Sequence, residues 1–132
     1  MRNNLILIGE DDPDDEEFLT EIFRSLDGSL LLLFKQNGDA VLNYLSNAAE
    51  SDLPSLILLD YNMPGLNGQE ILKELKKDPR FDAIPRLIWS TSRSAAHREM
   101  CITSGASDYL VKPSNVNDLE EMCRYMLSTF HR

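Results

Sequence analysis

The stretch that decides the fold is Ser55-Leu56-Ile57-Leu58-Leu59-Asp60-Tyr61-Asn62-Met63-Pro64-Gly65-Leu66-Asn67-Gly68. Its apolar half reads as a strand buried on both faces, and the Pro-Gly and Asn-Gly pairs mark the loop that follows. An ionisable group, Asp60, therefore stands where a hidden strand surfaces, which in an open α/β sheet is where ligands bind. A second acidic run, Glu10-Asp11-Asp12, closes another such strand, Leu5-Ile6-Leu7-Ile8. If the two strands are neighbours, their carboxylates converge on one crevice. Two bare charges at contact repel by about 4 kcal/mol at an effective dielectric of ~20, so the pattern calls for a divalent cation.

Outward from this stretch, strand and helix patterns alternate. Apolar runs fall at 5–8, 30–34, 56–59, 87–89 and 109–111, and helical patterns near 14–26, 39–49, 68–77, 94–104 and 115–130. In the last of these, Leu119, Met122, Cys123, Met126, Leu127 and Phe130 form one stripe at helical spacing, which reads as core. Five βα repeats with short connections predict an α/β fold: one five-stranded parallel sheet with helices on both faces, joined by right-handed crossovers. The flavodoxin-like strand order 2-1-3-4-5 is the expected one, and it sets the ends of strands one and three side by side. The 132 residues fit a single domain, 1–132, with no segment left over for an output domain.

The bulk properties narrow the partners. Net charge is −9 and the pI about 4.6, which argues against direct binding to nucleic acid or an anionic membrane, since both need a basic patch. Met1-Arg2-Asn3-Asn4 leads into an apolar stretch too short for a secretory leader or a membrane span. Cys101 and Cys123 lie far apart without a CxxC, as expected of reduced packing thiols in the cytoplasm.

Most of the run Glu10-Asp11-Asp12-Pro13-Asp14-Asp15-Glu16-Glu17 has a helix-start explanation. Asp12 before Pro13 suits an N-cap, Asp15 stands where a capping box wants an acid, and Asp14 to Glu17 complement the helix dipole. Glu10 and Asp11 precede the cap and have no such role, so they are the metal-site candidates. Strand four ends in Trp89-Ser90-Thr91-Ser92, sending a hydroxyl toward the crevice, although Ser90 alone could be a loop or cap residue. Strand five ends in Tyr109-Leu110-Val111-Lys112-Pro113. A lysine there needs a partner, and the acidic cluster is the natural one; the Lys112–Pro113 bond could be cis or trans. A metal and a lysine flanking one carboxylate hold it ionised and make a poor general base. They suit phosphoryl transfer, in which the carboxylate is the nucleophile and the cations and donors neutralise developing charge.

The set Glu10-Asp11, Asp60 with Asn62-Met63-Pro64-Gly65 and Gly68, Ser90, and Lys112-Pro113 resembles the receiver domains of bacterial two-component response regulators, over essentially the whole chain. The resemblance implies a stand-alone, CheY-like signalling protein rather than an enzyme. It implies that Asp60 accepts a phosphoryl group from a phosphohistidine on a sensor histidine kinase or phosphotransfer protein. Mg2+ would be held by Asp11, by Glu10 through water, by Asp60 and by the backbone carbonyl of Asn62. Lys112 would pair with Asp60 and then with the phosphoryl oxygens. Ser90 would donate to the phosphoryl group, and Tyr109 would be the aromatic that moves inward with it. The face made by the fourth helix, fifth strand and fifth helix would then dock a downstream protein target or form a homodimer. Kinase docking would fall near the first helix, where Phe18, Leu19, Ile22 and Phe23 supply apolar surface, most of it turned to the core.

Some positions depart from the commonest pattern. Glu10 replaces a frequent Asp, Thr91 stands where a small residue is frequent, and Asn62 and Ser92 occupy the two positions that tune acyl-phosphate hydrolysis in that family. The opening Glu-Asp-Asp-Pro-x-Asp, the Ser-Thr-Ser after strand four and the loop around Ser51-Asp52-Leu53-Pro54 look like the small regulators paired with phytochrome-type sensor kinases. Two other classes compete: a phosphorylation-independent receiver-like binding module, and a Mg2+-dependent aspartyl phosphohydrolase. The second wants an acid two residues after its nucleophile, where Asn62 stands. His97 and His131 form no metal or relay constellation and read as a surface helix residue and a tail residue.

Overall fold

The computed structural model describes residues 3–130; Met1, Arg2, His131 and Arg132 lie outside the described residues. Five parallel strands are β1 (Leu5–Gly9), β2 (Leu31–Lys35), β3 (Leu56–Asp60), β4 (Arg86–Ser90) and β5 (Asp108–Val111), in the order β2-β1-β3-β4-β5. This is the expected 2-1-3-4-5 order. Register pairs Gly9 of β1 with Leu59 of β3, and Asp60 with Trp89 of β4, so the chain leaves the sheet at one shared edge.

Five helices, α1 (Pro13–Leu26), α2 (Gly38–Asn47), α3 (Gly68–Leu75), α4 (Ala95–Thr103) and α5 (Val116–Ser128), follow the strands. Each starts where a side chain takes an orphan amide: Asp12, Asn37, Asn67, Ser94 and Asn115 all accept a hydrogen bond from the first turn. At Asn67 the cap is reciprocal, because Glu70 reaches back to the Asn67 amide at 2.9 Å. Two helices end earlier than periodicity suggests. The chain after α2 turns into a 3-10 segment, Glu50–Asp52, and the chain after α3 prepares Pro79, which opens another, Pro79–Phe81.

The sheet divides the core by its pleat. Ile6, Ile8, Leu58, Leu87 and Trp89 face Leu19 and Phe23 of α1 and Cys123 and Met126 of α5. Leu7, Ile57, Leu59, Ile88 and Tyr109 face Val41 and Leu45 of α2, Ile71 and Leu75 of α3 and Cys101 of α4. The predicted α5 stripe is core as expected, with Met122 half-buried at its margin. Cys101 and Cys123 are free, buried and on opposite faces of the sheet. Of the α1 residues considered for docking, only Phe18 is exposed; Leu19, Ile22 and Phe23 are buried. β4 also begins one residue earlier than its apolar run, with a buried arginine. The Arg86 guanidinium donates to the carbonyls of Phe81 and Ile84, closing the 3-10 turn that precedes it. No helix among the described residues is long and apolar enough to cross a membrane.

Two glycines place the loop after β3. Gly65 holds φ +80°, a left-handed conformation that side chains other than Gly and Asn rarely adopt. A Cβ on Gly68 would lie 2.9 Å from Ile88 Cδ1 and 3.2 Å from Tyr61 Cα, so α3 starts hard against the end of β3.

Burial predicts the energetic weight of these positions. Leu58→Ala, in the centre of the sheet, is expected to cost about 3 kcal/mol in urea unfolding. Leu31→Ala, 63% exposed on the edge strand, is expected to cost less than about 0.5 kcal/mol.

Candidate functional site

The carboxyl ends of β1, β3 and β5 meet in one crevice. Glu10 follows β1, is fully buried, and is held by its own amide on Lys35 O (2.9 Å) and by the Asp12 amide donating to its Oε2 (3.0 Å). Asp60 ends β3 nearly buried, with Oδ1 accepting from the Asn62 amide at 3.0 Å. Asp11 beside them is exposed. Carboxylate oxygens of Glu10, Asp11 and Asp60 all lie within 4.8 Å of one another.

Lys112 answers this charge. Its backbone amide donates to Ser90 O at 2.8 Å, fixing the start of the side chain. Its ammonium lies 3.1 Å from Glu10 Oε1, 2.8 Å from Asp15 Oδ2 and 2.9 Å from Asp60 Oδ2, so each of its three hydrogens has a carboxylate. It also sits 4.7 Å from the centroid of the Trp89 ring, within cation–π range. Lys112–Pro113 is trans, since no cis peptide occurs among the described residues.

The electrostatics follow from this packing. Burial pushes the Glu10 carboxyl up to about 7; the Asp12 amide opposes the shift, the Asp60 charge adds to it and Lys112 offsets it. Burial pulls the Lys112 ammonium down, but its hydrogen bonds to Asp15 and Asp60 and the charges of Asp60 and Glu10 outweigh it, and the net shift is upward. Three carboxylates, Glu10, Asp15 and Asp60, thus share one ammonium, and a fourth, Asp11, lies beside Glu10 and Asp60. A dense set of hard oxygen donors with an exposed member fits a small divalent cation that keeps part of its water shell.

The hydroxyl side of the site lies across β4. Ser90 is fully buried, and its Oγ accepts from the Ser92 amide at 3.1 Å. Thr91 is exposed and Ser92 half-buried. Tyr109 is already buried, with its hydroxyl donating to Ser92 O at 2.9 Å.

Two residues were read differently from sequence. Asp15, assigned there to a capping box and the helix dipole, instead makes the shortest of the three Lys112 ion pairs. Helical spacing carried no signal for this, because Asp11, four residues earlier, precedes the extended N-cap Asp12 and lies outside the helix. His97, read as a surface residue, is half-buried, stacked on Tyr61 (centroids 5.2 Å apart, planes 18° apart) and 2.9 Å from Ser92 Oγ through Nδ1. No periodicity signalled that contact, because it depends on how α4 lies over the end of β3.

The model of the response regulator receiver domain matches residues 6–124. The chain is 29% identical over 124 residues to the two-component response regulator ARR6 of Arabidopsis thaliana, covering 89% of this chain and 66% of that protein. Among solved structures, the phosphorylated cyanobacterial phytochrome response regulator RcpA superposes with a TM-score of 0.87 at 25% identity, over 97% of this chain and 94% of that one. The Mn2+-bound form of response regulator Rcp1 gives 0.82 at 29% identity, over 95% and 92%.

The raised Glu10 carboxyl predicts a pH dependence for the metal-free protein. A group protonated more readily when folded stabilises the fold fully at low pH, and that contribution is lost as pH rises from its unfolded value of 4.5 through about 7. Denaturant titrations are expected to show stability falling by about 1–3 kcal/mol across that window. In Glu10→Gln that fall is expected to be largely absent.

Proposed function

The chain belongs to the response regulator receiver domain family of two-component signalling, whose members accept phosphate from histidine kinases, and on that footing we propose that Asp60 is its phosphoacceptor. The observation that carries this reading is Lys112 bridging Asp60 Oδ2 at 2.9 Å inside an acidic pocket. The ion pair sets a cation against the carboxylate that would attack, where it can neutralise charge on the incoming phosphoryl group. In the transfer, an Asp60 oxygen bonds to phosphorus while the bond from phosphorus to the donor nitrogen breaks. The donor histidine recovers its electron pair. Lys112 then exchanges part of its contact with Asp60 for the phosphoryl oxygens, and Ser90 donates to another of them.

Receiver domains bind Mg2+ at an acidic pocket, and the Glu10, Asp11 and Asp60 oxygens are grouped as that requires. Asp11 and Asp60 would ligate directly, Glu10 through water, and the Asn62 carbonyl would complete the protein donors. When bound, the ion supplies charge neutralisation for the phosphoryl oxygens. Asn62, Thr91 and Ser92 would set how fast water removes the group.

The switch would run through Ser90 and Tyr109 to the face built by α4, β5 and α5. Arg98 of α4 already ties that face together, donating to Tyr109 O at 3.1 Å and lying 3.6 Å from Asp108. Met100, Ile102 and Tyr125 leave apolar surface exposed on α4 and α5. The expected read-out is a protein contact in the cytoplasm, with a downstream target or a second copy. A net charge of −9 does not favour nucleic acid. For the donor, a cleft of about 160 Å³ lined by Phe18, Pro113 and Val116 beside Lys112 would seat a kinase or phosphotransfer protein. The likeness to the phytochrome response regulator RcpA supports a phytochrome-type sensor kinase as that donor's source.

Intact-mass spectrometry after incubation with Mg2+ and acetyl phosphate or phosphoramidate tests this reading. One phosphoryl group is expected, dependent on Mg2+ and absent from Asp60→Asn. Lys112→Ala is expected to accept it on the order of 100-fold more slowly. No gain from small donors or from autophosphorylated kinases would leave a phosphorylation-independent binding module instead.

A further inference from the structure

Ser92 holds the loop between β4 and α4 by four hydrogen bonds. Its amide donates to Ser90 Oγ (3.1 Å) and its carbonyl accepts from the Tyr109 hydroxyl (2.9 Å). Its Oγ accepts from the Ser94 amide (3.2 Å) and lies 2.9 Å from His97 Nδ1. The Ser92 hydroxyl has one hydrogen to give, and among the described residues His97 Nδ1 is the acceptor within its reach. With Ser92 Oγ giving its hydrogen to Nδ1, the ring hydrogen sits on Nε2.

The histidine ring is oriented from its other side. Tyr61, stacked against it, follows Asp60 directly and has its backbone pinned, amide to Trp89 O at 3.1 Å and carbonyl to the Gly68 amide at 3.0 Å. The ring has no part in starting α4, because it is the backbone amide of His97 that Ser94 caps. A chain of contacts therefore runs from Tyr61, next to Asp60, through His97 and Ser92 to Ser90.

Resting on the phosphoacceptor reading above, we propose that His97 is a positioning residue: by accepting the Ser92 hydroxyl hydrogen it holds that side chain away from Asp60 and lengthens the life of the phosphoryl group. Without it, the Ser92 hydroxyl is free to turn toward Asp60 and bring water to the phosphorus. The bond that breaks faster is the one from phosphorus to the Asp60 oxygen, with phosphate leaving and the carboxylate restored.

The test follows phosphoryl loss by intact mass after loading with Mg2+ and phosphoramidate and removing the donor. His97→Ala is expected to shorten the lifetime at least threefold. His97→Asn, whose amide oxygen can take the place of Nδ1 as acceptor, is expected to recover most of it, which a role confined to packing would not produce. In a Ser92→Ala background, His97→Ala is expected to change nothing further. A wild-type lifetime in His97→Ala, or a lifetime in His97→Asn as short as in His97→Ala, overturns the proposal while leaving Asp60 as acceptor. Failure of the unsubstituted protein to gain mass from any donor overturns both.

Discussion

One ammonium among four carboxylates is the interaction on which the site depends. Lys112 meets Glu10, Asp15 and Asp60 at 3.1, 2.8 and 2.9 Å, and these come from two parts of the chain far from Lys112 in sequence. A lone charge at that depth would carry a desolvation penalty of several kcal/mol, and the ring of partners is what offsets it. The same ring leaves a surplus of negative charge, which makes the pocket receptive to a second cation. Parallel strands are what make such a meeting possible, since they bring every carboxyl end to one edge of the sheet.

The pleat then assigns the two sides of the pocket to different layers. Trp89, under Lys112, belongs to the layer of α1 and α5, while Tyr109 belongs to the layer of α2, α3 and α4. Ser90 sits next to Trp89 in β4 but points its hydroxyl into the loop held by Ser92. On the proposed reading, a charge added at Asp60 would act on two layers at once: on the lysine and its α1 partner on one side, and on the Ser90–Ser92–Tyr109 chain on the other. It would then reach the proposed docking face without moving the sheet, whose residues are close-packed.

How far the site was legible depended on where each signal resides. Asp60 and Lys112 were legible because a charged residue at the end of an apolar strand conflicts with its own surroundings. Glu10 was legible once Asp12 had taken the cap. Asp15 was misassigned because an acid in the first turn of a helix has a sufficient local explanation, and local explanations hide tertiary ones. His97 was misassigned for the opposite reason: α4 has little apolar periodicity, with Met100 and Ile102 exposed, so its orientation could not be inferred. Helix ends at 47 and 75 came earlier than periodicity suggested because backbone turns, not side-chain spacing, terminated them.

Sequence by itself determined the number, type and order of the elements, because apolar runs of strand length and capped amphipathic segments are local properties of the chain. It also determined which charges could not remain unpaired. Only the tertiary structure decided how the partners were shared: that Lys112 divides its three hydrogens among Glu10, Asp15 and Asp60, and that His97 stacks on Tyr61 while meeting Ser92. Those choices depend on distances of a few ångströms between elements far apart in the chain, set by the register of the strands and the tilt of the helices upon them, and no local pattern encodes them.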